Sequence, residues 1–307
     1  MKRFKNVLLV FDQNKETLRR AVALAKNNRA ELTVVDVIEG LPVHKPTLVT
    51  VMPPQDLQTL VVNERREQLK KSIEPFRKKQ VRVATDVLVG KPFLEIIREV
   101  VGKKRDLVIM TAEGKTGLKQ RLFGSTSMHL MRKCPCPVWV MKPTRRKRYA
   151  RILAAVDPDS SDEERTLLNI KIMDLATSLA QMERSELHIV HAWTLFGVEL
   201  LRKRISKREL DEWVRGEREK HEVLIDELLQ GYSPQDPGHQ THLVKGQAGM
   251  VIPAVAERVG ADLLVMGTVC RTGVAGFFIG NTAEQVLQQV ECSVLTVKPD
   301  RFITPIE

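Results

Sequence analysis

Val7-Leu8-Leu9-Val10-Phe11-Asp12 is a short apolar run closed by a carboxylate, and Ile152-Leu153-Ala154-Ala155-Val156-Asp157 restates it 145 residues later. Working outward, Glu31-Leu32-Thr33-Val34-Val35-Asp36 returns as Glu186-Leu187-His188-Ile189-Val190-His191, at an offset of 155. Asp106-Leu107-Val108-Ile109-Met110 returns as Asp262-Leu263-Leu264-Val265-Met266, at an offset of 156. Cys136-Pro137-Val138-Trp139-Val140-Met141-Lys142-Pro143 returns at the same offset as Cys292-Ser293-Val294-Leu295-Thr296-Val297-Lys298-Pro299. Four blocks in the same order make the chain a tandem repeat, and a repeat decides the fold before any single element does. In a chain of 307 residues each copy has the size of one domain, commonly roughly 100–200 residues. The expected division is a first domain over 1–143, a basic linker over 144–149, a second domain over 150–300 and a tail over 301–307.

Inside each copy, short β-branched runs alternate with helical patterns. Leu18, Ala21, Val22 and Ala25 recur at helical spacing after the first strand. A long charged amphipathic helix is expected over about 54–79, a third strand over 81–89 and a helix over 93–102 behind Gly90-Lys91-Pro92. The fourth strand starts at Asp106, and a last helix over 125–133 leads to the fifth, over 137–141 and again over 293–297. Apolar strands alternating with helices predict an α/β fold, with a parallel sheet covered on both faces in each domain.

Charge divides the copies. The chain is +11, yet residues 1–150 hold 32 basic and 14 acidic residues while 151–307 hold 17 and 24, so the halves are +18 and −7. Asymmetry of this kind marks either an anionic partner or two halves that attract each other. No apolar stretch approaches the roughly 20 residues of a membrane helix. The N-terminal apolar run is shorter than a signal peptide requires. Four Cys are too few for a disulfide framework, so a cytoplasmic location is expected.

In an open parallel sheet, ligands bind beyond the carboxyl ends of the strands. The residues there are Asp12, Asp36 or Val37, the run Thr111-Ala112-Glu113-Gly114-Lys115-Thr116-Gly117, and Phe123-Gly124-Ser125-Thr126-Ser127. A glycine-bearing loop lets backbone N–H groups approach a phosphate, and Gly-Ser-Thr at a helix start adds hydroxyls and a favourable dipole. A carboxylate after the first strand can accept from a ribose hydroxyl or an adenine amine. His191, at the end of the second strand of copy two, is a candidate to line the corresponding pocket of that copy.

Strand-Asp, a second short strand, and then Gly-x2-Gly-x9-Gly-Ser/Thr ahead of a last strand resembles the universal stress protein family, in its tandem two-domain form. The resemblance covers nearly the whole chain and implies two Rossmann-like five-stranded domains. It also implies adenosine near the first-strand Asp and phosphates along the two glycine segments. Carried over residue by residue, it implies a nucleotide site at Asp12, Gln13, Val37, Thr111, Gly114, Lys115, Gly124, Ser125 and Thr126. In copy two the counterparts are Asp157, His191, Gly267, Thr268, Gly280, Asn281 and Thr282. The departures are Thr111 at the first glycine of copy one, Cys270 at the middle glycine of copy two, and Asn281 at its Ser/Thr position. The implied ligand is ATP or another adenine nucleotide, or a related phosphorylated small molecule, with Mg2+ accompanying it. The fifth strands are implied to pair between domains, so the chain is expected to form its own pseudo-dimer, with a homodimer as a further assembly.

The other patterns point elsewhere. Cys134-Pro135-Cys136 is at most half a metal site and reads as structural thiols. His188 and His191 fall on opposite faces of a strand, and Gly238-His239-Gln240-Thr241-His242 reads as a loop. No Gly-x-Ser-x-Gly, His-Glu-x-x-His or Gly-x-x-x-x-Gly-Lys-Ser/Thr motif is present, which leaves at most slow ATP hydrolysis. Two alternatives compete with a nucleotide-binding stress protein. One is a nucleic-acid- or ribosome-associated factor using the basic half, set against the low aromatic content. The other is a binder of an apolar or acylated ligand in copy two, using Trp193, Leu195, Phe196, Leu200, Leu201 and Trp213.

Overall fold

The computed structural model describes residues 4–40, 53–77, 81–112, 123–144, 146, 148–159, 161–195, 197, 204–232, 238–268 and 280–306. By internal contacts these form two compact units. One runs to Thr144 and takes in the C-terminal residues from Phe302; the other runs from Arg146 to Arg301.

The first unit contains β1 (Asn6–Val10), α1 (Lys15–Asn28), β2 (Glu31–Ile38), α2 (Pro54–Arg77), β3 (Val83–Val89), α3 (Pro92–Gly102), β4 (Leu107–Thr111), α4 (Ser125–Lys133) and β5 (Val138–Met141). Its strands lie in the order β3-β2-β1-β4-β5, all parallel. The order reverses between β1 and β4. With right-handed crossovers, α1 and α2 therefore cover one face and α3 and α4 the other. Both faces are closed, so the central strands carry unbroken apolar runs: Val7, Leu8 and Leu9 of β1 and Leu107, Val108 and Ile109 of β4 are fully buried.

The second unit contains β6 (Arg151–Ala155), α5 (Glu163–Glu183), β7 (Glu186–Trp193), α6 (Lys207–Leu229), β8 (His239–Lys245), α7 (Ala248–Val259), β9 (Leu263–Gly267), α8 (Asn281–Gln289) and β10 (Ser293–Val297). The strand order is β8-β7-β6-β9-β10, again all parallel. One carboxylate does the same work in each unit. Asp106 accepts the backbone N–H groups of Lys5 (2.6 Å) and Asn6 (3.0 Å), and Asp262 accepts those of Ala150 (2.6 Å) and Arg151 (3.2 Å). Each pins the start of its first strand beside the strand that follows the reversal.

Helix ends follow local chemistry. Asn14 caps α1 by accepting from the N–H groups of Glu16 and Thr17, and Asp162 caps α5 through Arg165 N–H. Ser206 and Glu209 form a reciprocal capping box on α6. Two sequence expectations need correction. Residues 239–245 are a strand and not a loop, paired with β7 from Leu187↔His239 to Trp193↔Lys245. Strand β7 also continues through Trp193, so His191 lies within it and not at its end.

Candidate functional site

In the first unit the ends of β1 and β4 meet through side chains. Thr111 closes β4, and its hydroxyl lies 2.9 Å from Asp12 Oδ1 and 3.0 Å from the Thr17 hydroxyl of α1. Thr111 and Thr17 are buried, whereas Asp12 reaches solvent. Asp12 Oδ1 also accepts the N–H of Asn14 at 3.1 Å, across Gln13, whose φ of 69° makes the sharp turn into α1. The β-branched residue in place of a glycine thus orients the carboxylate. Val37 is half-buried on β2, in register with Leu88 of β3. Beside it, Asp36 faces Arg65 of α2 at 3.6 Å.

Gly124 stands before α4 in an extended conformation with no side-chain cap, and the Ser127 hydroxyl bonds back to its carbonyl at 3.0 Å. The first N–H groups of α4 therefore have no side-chain acceptor from the cap position, which is the arrangement that receives an anion. Ser125 is exposed and Thr126 half-buried at this opening. Gly114 and Lys115 lie outside the described residues.

The second unit assembles the equivalent positions differently. Both backbone polar groups of Asp157 are held by the buried Asn169 side-chain amide, at 2.9 Å each. The Asp157 carboxylate lies 3.9 Å from Arg165, which also meets Asp159 at 2.7 Å and Asp162 at 3.7 Å. Gly267 ends β9 where a Cβ would sit 3.0 Å from Leu168 Cδ2 of α5, so here a glycine admits a packed helix. The N–H of Gly280 donates to the carbonyl of Thr268 at 3.1 Å, tying the end of β9 to the start of α8. Gly280 provides no side-chain cap, and Asn281 and Thr282 are exposed. The Thr268 hydroxyl is 3.4 Å from the ammonium of the buried Lys298. Cys270 lies outside the described residues.

His191 is buried, with Nδ1 3.2 Å from the Val156 carbonyl and Nε2 2.8 Å from His221 Nδ1 of α6. Both ring nitrogens serve packing, and the ring presents neither to the strand-end opening. On the other face of the strand His188 Nδ1 lies 3.0 Å from His242 Nε2 of β8, and Arg258 of α7 lies 3.3 Å from His242 Nδ1. Burial pushes the His188 pKa below the ordinary imidazole value, Arg151 lowers it further, and Glu186 opposes the shift. Burial, His188 and Arg258 lower that of His242. These two pairs were missed in the sequence, where the partners stand 54 and 30 residues apart.

Trp193 is buried 5.5 Å from the His221 ring, and Phe196, Leu200 and Leu201 lie outside the described residues. Cys134 and Cys136 are thiols with sulfurs 3.5 Å apart. Among the described residues no group of three His, Cys, Asp or Glu side chains is placed to hold a metal ion. None of their helices is long and apolar enough to cross a membrane. Along α2, Arg66 meets Asp86 at 3.9 Å and Lys70 meets Glu67 at 2.8 Å, the pattern of a solvated face. Two cavities in the second unit, of about 620 and 440 Å3, open beside α5 and not over β9 and α8.

The universal stress protein family model matches residues 3–142 and 148–298. Over its whole length the chain is 32% identical to universal stress protein E of Salmonella typhi, covering 98% of that protein. It is 31% identical to universal stress protein E of Escherichia coli (strain K12), with the same coverage. A crystal structure of PA1789, a functionally unknown protein from Pseudomonas aeruginosa PAO1, aligns with a TM-score of 0.66 at 25% identity, over 97% of this chain and 94% of that one.

Proposed function

This chain belongs to the universal stress protein family, and on that footing we propose that it is a cytoplasmic stress-response protein binding an adenine nucleotide or a related phosphorylated ligand. The first unit is the principal site. One observation carries the reading: at the end of β4, Thr111 fixes Asp12 as a solvent-facing acceptor, in the unit whose α4 begins on an uncapped Gly124. Asp12 accepts from the ribose or the adenine amine, and Val37 flanks the base. The first N–H groups of α4, with the Ser125 and Thr126 hydroxyls, receive phosphate. Gly114 and Lys115 belong to the intervening glycine segment in this reading, and Mg2+ arrives with the phosphates. The second unit offers a weaker copy at Gly280, Asn281 and Thr282, because Arg165 faces Asp157 and Leu168 packs on Gly267.

Calorimetry separates the parts of the site. Gly124→Val places a branched side chain at the opening of α4, so ATP affinity should fall at least about tenfold, a loss of about 1.4 kcal/mol, while adenosine binding changes little. Undiminished ATP binding in that variant would remove the phosphate seat. Failure of the unaltered protein to bind ATP or ADP would overturn the reading itself.

A further inference from the structure

The cavity of about 440 Å3 in the second unit lies between α5 and α6, with the loop after β6 at one end. Its size is that of a small-molecule site, typically about 300–1,000 Å3. Thr166, Asn169, Ile170 and Asp174 of α5 line it at helical spacing, as do Leu224, Glu227 and Leu228 of α6. Pro158, Ile170, Leu224 and Leu228 make an apolar bed. Ile170 is 39% exposed, and the two leucines are only partly buried, so the two helices leave this strip uncovered.

The described residues of the lining carry charge of one sign. Among the described residues of the lining the carboxylates are Asp159, Asp174 and Glu227, and none is Lys, Arg or His. Arg165 meets Asp159 at 2.7 Å, and Asp174 of α5 and Glu227 of α6 stand on the two helices that flank the cavity. Tyr232, just past α6, donates its hydroxyl to Asp174 Oδ1 at 2.9 Å and lies 3.1 Å from the Ile170 carbonyl oxygen. That contact holds the Asp174 carboxylate at the rim, between the two helices. A phosphate ligand would enter against the Asp174 and Glu227 carboxylates, whereas an ammonium would find acceptors beside an apolar bed.

We propose that this cavity is a second ligand site, for a small organic cation with an apolar body. The hydrocarbon or ring portion lies on Ile170, Leu224 and Leu228, and the ammonium lies between Asp174 and Glu227. The site shares no residue with the nucleotide reading. It adjoins it through Asn169, which lines the cavity and holds the backbone of Asp157.

Calorimetry of the full chain with three probes of one shape tests the proposal: 4-phenylbutylamine, 4-phenylbutan-1-ol and 4-phenylbutanoate. The amine should bind at least about fivefold more tightly than the alcohol, the acid should not bind, and added salt should narrow the gap. Asp174→Asn should lower amine affinity severalfold and leave the alcohol within about twofold. Glu227→Gln, at an exposed helical position, should act in the same direction without the risk of unfolding. Ile170→Arg, which brings a cation to the bed, should abolish amine binding. The proposal is overturned if no probe binds at about millimolar concentration, if the acid binds as well as the amine, or if amine affinity is unchanged in both carboxylate variants.

Discussion

Thr111 ends β4 in the first unit and Gly267 ends β9 in the second, and the two positions show how one framework came to hold two different strand ends. In the first, a hydroxyl reaches across to Asp12 and aims its carboxylate. In the second, the missing side chain lets Leu168 press α5 against the strand. The partner residues diverge accordingly: Asp12 faces neutral donors, whereas Asp157 sits in the field of Arg165. Past the last strands, Lys142 is exposed while Lys298 is only 3% exposed. The buried apolar strands tolerate little change because every side chain in them is packed. Residues one step beyond the strand ends touch loops and helix starts, where a substitution alters a ligand's surroundings without altering the sheet. Repetition therefore preserved the frame and released the sites.

If the frame is shared, its pins should cost the same in both units. Asp106→Ala and Asp262→Ala each remove an ionised acceptor from two backbone N–H groups, and each should destabilise its unit by about 2–3 kcal/mol. Hydrogen-exchange mass spectrometry reads the units separately. A large loss in one unit and none in the other would break the equivalence. The strand ends should respond unequally to the same exchange. Gly267→Thr drives a Cβ to 3.0 Å from Leu168 and should cost about 1–3 kcal/mol, partly recovered by adding Leu168→Ala. A double variant no more stable than the single one would show that Leu168 is not what the glycine accommodates.

A smaller effect should follow at the matching position of the first unit. Thr111→Val keeps the shape and deletes the hydroxyl, costing about 1 kcal/mol in urea denaturation. It should also weaken ATP binding, because Asp12 loses the donor that orients it. Unchanged affinity would separate Asp12 from the ligand.

Much of this frame was legible in the sequence. The repeat gave two domains, the alternation gave a parallel α/β sheet, and the helix over 125–133 and the strand over 293–297 were placed where they occur. Those elements are legible because a glycine or a polar turn abuts a pattern of clear period. Strand β8 was not, because it lies at the end of the sheet order and carries His, Gln, Thr and His before its first aliphatic residue. Its conformation comes from pairing with β7, which is tertiary information. At Thr111 the sequence revealed a β-branched residue out of place, while the target of its hydroxyl stands 99 residues away. Arg165 gave no sequence signal at all, since it reads as an ordinary residue in the first turn of a helix.

Acid should divide the units in a last and subtler way. The second unit buries His188 against His242, with Glu186 and Arg151 facing the first and Arg258 facing the second. Among its described residues the first unit has instead one depressed imidazole, His129, lowered by burial and then by Lys133, Arg132 and Lys91. A histidine whose folded pKa is lowered binds protons more readily when unfolded. Its contribution is therefore intact above the unfolded value of about 6.5, and is lost as pH falls from there toward the folded value. Two such groups in contact also repel once both are charged, so the β7–β8 ladder should lose protection on going from neutral pH to about 5.5 before the β1–β2 ladder does. Hydrogen exchange corrected for intrinsic rates measures this, and the effect should be smaller than any of the substitutions above. His242→Gln keeps a polar partner for His188 and removes one proton site, so it should flatten the pH dependence of the β7–β8 ladder alone. A variant with the original slope would assign the acid response to other groups.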